Sequence, residues 1–90
     1  MQQSHEEGLV KIYVKKIQAL AEQALDGADV RENIRAVVVE ACTHFDAVVT
    51  SSPEQNRAAF KGRLSIYGDL VHESQPKYRE MLKYAASLVD

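Results

Sequence analysis

Residues 29–50 read DVRENIRAVVVEACTHFDAVVT. Within them Val30, Ile34, Val37, Val38, Ala41, Phe45, Val48 and Val49 recur every three or four residues, which places them on one side of a helix. Arg31, Glu32, Arg35, Glu40 and Asp46 fall mostly on the other sides. Asp29 followed three residues later by Glu32 is a capping-box start. The many valines are weak helix formers, so the segment needs neighbours that bury its stripe. The rest of the chain is therefore expected to wrap this helix with others.

Upstream, Ser4 with Glu7 repeats the capping-box pattern, and Glu6 and Glu7 suit the positive end of a helix dipole. Leu9, Val10, Tyr13, Ile17, Leu20, Ala21 and Ala24 form a continuous stripe. Gly27 is placed to end that helix in a left-handed conformation, and so short a connection makes the first two helices antiparallel neighbours. Downstream, Ser52, Pro53 and Gln55 mark a third start. Phe60, Leu64, Tyr67 and Val71 make one stripe of the third helix, and Ala59, Ile66 and Leu70 a second beside it. An arc that wide predicts the most buried helix, or one that faces a partner as well as the core. Gly62 and Gly68 weaken it, and Gly68-Asp69 is a possible break. Ser74, Gln75 and Pro76 stop and restart the chain, and Tyr78, Met81, Leu82, Ala85, Leu88 and Val89 point inward from the last helix. The expected fold is all-α: an up-and-down antiparallel four-helix bundle, with helices near 4–26, 30–50, 53–73 and 76–89, in a single domain spanning 1–90.

Composition narrows the function. The chain has 90 residues, 46% hydrophobic and 27% charged, as expected of a globular domain rather than a disordered one. A net charge of −2 gives no general attraction to nucleic acid or to anionic lipid. The polar, acidic start MQQSHEEG is unlike a signal peptide, and no apolar run approaches the roughly 18 residues of a membrane span. With Cys42 alone there is no internal disulfide, and the expected setting is the reducing cytoplasm.

Chemistry-bearing patterns are sparse. Cys42 and His44 lie two residues apart on one helix and diverge by roughly 200°, so they do not form a nucleophile–base pair. Glu40 with His44, and Asp69 with His72, each offer two groups from one turn, but the Glu-x-x-His spacing of carboxylate-bridged metal bundles is missing. Neither glycine-rich phosphate loop occurs. Arg57, Lys61 and Arg63 on the third helix and Lys77, Arg79 and Lys83 on the fourth are interleaved with acids, as on a solvated surface. No catalytic residue, cofactor or metal is expected.

The segment Ala58-Ala59-Phe60-Lys61-Gly62, followed by Gly68, resembles the histidine-phosphotransfer family, whose four-helix domains carry His-x-Leu-Lys-Gly and then a glycine at this spacing. The resemblance covers residues 58–68, and Ala58 stands where the phosphorylated histidine would be. It implies a surface for docking a receiver domain without the transfer chemistry. Lys61, Gly68 and His72 would share that strip, with Arg57 and Ser65 towards its sides.

The expected function is that of a small, non-enzymatic helical interaction protein: a regulator, inhibitor or adaptor that binds another protein or a second copy of itself. Alternatives are the receiver-binding relative just described and a small ligand- or metal-binding bundle. Apolar side chains in surplus carry the first reading: Val39 opposite the main stripe of the second helix, Ile12 and Val14 flanking that of the first, Ile66 and Leu70 widening the third. The interaction surface expected on the third helix is Ala59, Gly62, Ile66 and Leu70.

Overall fold

The computed structural model describes residues 5–47, 52–71 and 75–89. They form four helices, α1 (His5–Leu25), α2 (Arg31–Ala47), α3 (Pro53–Leu70) and α4 (Pro76–Leu88), packed as an up-and-down antiparallel bundle in which each helix touches the other three. The boundaries follow the local chemistry. α1 ends in a Schellman motif: the Gly27 N–H donates to the Ala24 carbonyl at 3.1 Å and the Ala28 N–H to that of Gln23 at 3.3 Å. Gly27 takes φ +96°, which only glycine adopts without strain. Gly27→Ala is expected to cost about 1–2 kcal/mol, read as a lower denaturant midpoint with an unchanged slope.

At the start of α2 the Asp29 carboxylate accepts from the Arg31 N–H at 3.3 Å. Ser52 caps α3: its hydroxyl accepts from the Gln55 N–H at 3.4 Å, with Pro53 in the first turn. α3 runs unbroken through Gly68 and Asp69 and stops at Val71, whose backbone is extended. Pro76 opens α4 after Gln75, which makes no side-chain cap bond. The start signal at Ser4 and the ends expected at Thr50 and Glu73 lie outside the described residues.

The core joins α1, α2 and α3 through three aromatic rings. Phe45 packs edge-on to Tyr13, with centroids 6.0 Å apart, and to Phe60, 5.8 Å apart. Ile17, Ile34, Leu64 and Leu82 fill the space around them with no exposed surface. Two expectations need correction. Val14 does not flank the core of α1 but lies in it, 2% exposed, between Val10 and Ile17. The most buried helix is α1 rather than α3: Leu9, Val10, Tyr13, Val14, Ile17, Ala21 and Ala24 are buried, whereas α3 buries only Phe60 and Leu64 among its apolar side chains. α1 buries apolar residues over a wide arc, whereas α3 turns one apolar stripe inward and leaves the other facing out.

Candidate functional site

The second apolar stripe of α3, beside that of Phe60 and Leu64, faces outward. Ala59 is exposed, Ile66 is 58% exposed and Leu70 75%. Gly62 is half-buried, and a Cβ built on it meets nothing within 4 Å, so the space above it is open. Val39 on α2 and Ile12 on α1 also face solvent, as expected. Val39 borders an open hollow of about 450 Å³ whose lining includes Val38, the half-buried Cys42 thiol, Arg57 and Leu88.

The strip named for receiver docking is divided by its neighbours. Arg57 is half-buried and pairs with Asp46 of α2 at 2.8 Å. Its guanidinium is pushed above its ordinary value, first by a hydrogen bond with Cys42 and then by the Asp46 charge. Gly68 is buried: a Cβ there would stand 3.2 Å from Cε of Lys83, and its carbonyl accepts from Nε of Arg79 at 3.1 Å. Lys83 and Arg79 of α4 therefore lie across the strip at Gly68. Lys61 is exposed, Ser65 is half-buried, and His72 lies outside the described residues.

Asp69 donates no free charge to the outward stripe, because Lys83 of α4 pairs with it. The Lys83 hydrogen bond, then its charge, holds the Asp69 carboxyl below its ordinary value. The residues weighed for metal binding also have other partners. Glu40 lies 3.7 Å from Nζ of Lys16, and Nδ1 of His44 shares a 2.9 Å hydrogen bond with the hydroxyl of Tyr13. Nζ of Lys16 stands 5.1 Å from the centre of the Tyr13 ring. Burial first, then the Glu40 charge, raises the Tyr13 phenol above its ordinary value. Among the described residues no three of His, Cys, Asp and Glu gather into a metal-sized cluster.

These ties across helices escaped the sequence reading. Tyr13 and His44 are 31 residues apart and Arg57 and Asp46 11, separations to which no helical period assigns a contact. Among the described residues no helix is long and apolar enough to cross a membrane. No protein-family model, curated protein or solved structure matches the chain.

Proposed function

We propose that the protein is a small, non-enzymatic interaction module, a regulator or adaptor, that binds another protein chain through the outward face of α3. The observation that carries this reading is the exposure of Ile66 and Leu70 on one uninterrupted helix face with Ala59 and Gly62. A solvated helix face is ordinarily charged or polar, and contiguous exposed apolar residues mark contact sites. The bundle leaves this face free because Phe60 and Leu64 already anchor α3 from the other side. The reading places the protein in the cytoplasm, in keeping with a lone cysteine that has no partner for an internal disulfide.

The test is a photoreactive side chain placed at Leu70 and, in a parallel sample, at the exposed Ala36 of α2. Irradiation in the cells of origin should give discrete protein adducts from position 70, a second copy of the chain included, and far fewer from position 36. Equal or absent labelling at the two positions would overturn the proposal.

A further inference from the structure

We infer that the hollow between α1 and α3 is a binding site for a small soluble anion carrying two or more phosphate groups, held by Lys11, Lys15 and Arg63. The site uses none of the residues of the contact surface proposed above and stands or falls apart from it.

Two helix faces build it. Lys11 and Lys15 are one turn apart on α1, and Arg63 and Tyr67 one turn apart on α3. Between the two pairs lies a hollow of about 260 Å³, whose lining is completed by Val14 and Gln18. Val14 belongs to the core, while Lys11 and Lys15 are exposed. Arg63 and Tyr67 are half-buried, and Arg63 is engaged within the chain as well, which limits the positions its guanidinium can take. Among the described residues no ion pair takes up Lys11 or Lys15, whereas Lys16, Arg57 and Lys83 each have a carboxylate partner.

Charge selects the occupant. The lining holds three cations and no carboxylate. The hollow beside Cys42 includes Asp46, and another, at the turn between α1 and α2, includes Asp29 and Glu80. The positive lining is thus a local feature, set in a chain whose net charge is −2. A cleft lined by one sign of charge raises the concentration of the opposite ion within it. Three cations call for more than one negative charge, so a monocarboxylate would leave most of the site unmet. Arginine matches phosphate oxygens with two parallel N–H bonds, and the lysines act on them as point charges. The Tyr67 hydroxyl and the Gln18 amide add neutral donors.

Size and net charge favour a small ligand. The volume lies below the about 300–1,000 Å³ of pockets that take drug-sized molecules. A long polyanion such as nucleic acid would also meet the acids outside the hollow. A small anion is screened from them beyond about 8 Å at physiological salt, and so feels chiefly the three cations.

The experiment is isothermal titration calorimetry with inorganic diphosphate as the probe. At low salt it should bind with a Kd in roughly the micromolar range, and weaken as salt is added. Lys11→Gln and Lys15→Gln change exposed side chains, so both should keep the helical spectrum of the parent. Each of them, and Arg63→Gln, should weaken binding by about tenfold. Lys61→Gln makes the same charge change at an exposed lysine of α3 outside the hollow and should stay within about twofold of the parent. No saturable binding up to about 10 mM diphosphate overturns the inference. So does an equal loss from Lys61→Gln and Lys15→Gln, which would mean a diffuse attraction to the whole surface. Citrate, a tricarboxylate, bound as tightly as diphosphate would overturn the assignment to phosphate. Binding to phosphatidylcholine vesicles doped with phosphatidic acid, without binding of diphosphate, would replace the small anion with a lipid surface.

Discussion

Phe45→Ala is expected to lower the stability of the fold by about 3–5 kcal/mol. Phe45 has no exposed surface and stands between Tyr13 of α1 and Phe60 of α3, edge-on to both rings. Its removal takes away the transfer energy of a large side chain, leaves a cavity that three helices must close together, and breaks two aromatic contacts worth about 0.5–1.5 kcal/mol each. A domain of 90 residues has a total stability of only about 5–13 kcal/mol, so the variant should be close to unfolding at physiological temperature. Urea denaturation read by the far-ultraviolet helical signal measures it. A midpoint equal to the parent's would mean that the three rings do not form the centre of the core.

The second large effect separates two isoleucines on one helix. Ile17 has no exposed surface, whereas Ile12, one and a half turns earlier, is 54% exposed. Ile17→Ala should cost about 2–5 kcal/mol. Ile12→Ala should stay within about 0.5 kcal/mol, as for surface changes generally. The contrast bears on the finding that α1 is the most buried helix, because its inward arc must end between these two side chains. Equal losses at both positions would place α1 in a different rotation about its axis.

The fold was legible where local chemistry and period agreed. Gly27 announced the end of α1, and Ser52-Pro53 the start of α3, because a left-handed turn and an amino-terminal cap are requirements of single residues. The stripe through Ile34, Val38, Ala41 and Phe45 was legible because all four face one core. Val14 was misjudged because its burial depends on how many helices surround α1, which no period records. The same limit explains α3. Its two apolar stripes are readable from the spacing, but only the packed bundle shows that Phe60 and Leu64 turn inward while Ile66 and Leu70 do not. Spacing could place Gly68 and Lys61 on one strip, yet it could not show that Lys83, 15 residues after Gly68, lies across it. The contact between Arg35 and Tyr84 at 3.4 Å, 49 residues apart, was equally beyond reach.

The central claim is that the Ile66 face of α3 is free in the folded chain and is kept for contact with another chain. The most direct measurement is denaturant unfolding of Ile66→Glu, at concentrations where parent and variant are both monomeric. The account predicts a full helical spectrum and a stability within about 0.5 kcal/mol of the parent, because the carboxylate stays in water. Loss of the helical spectrum, or a cost of several kcal/mol, would put Ile66 inside the bundle and contradict the account.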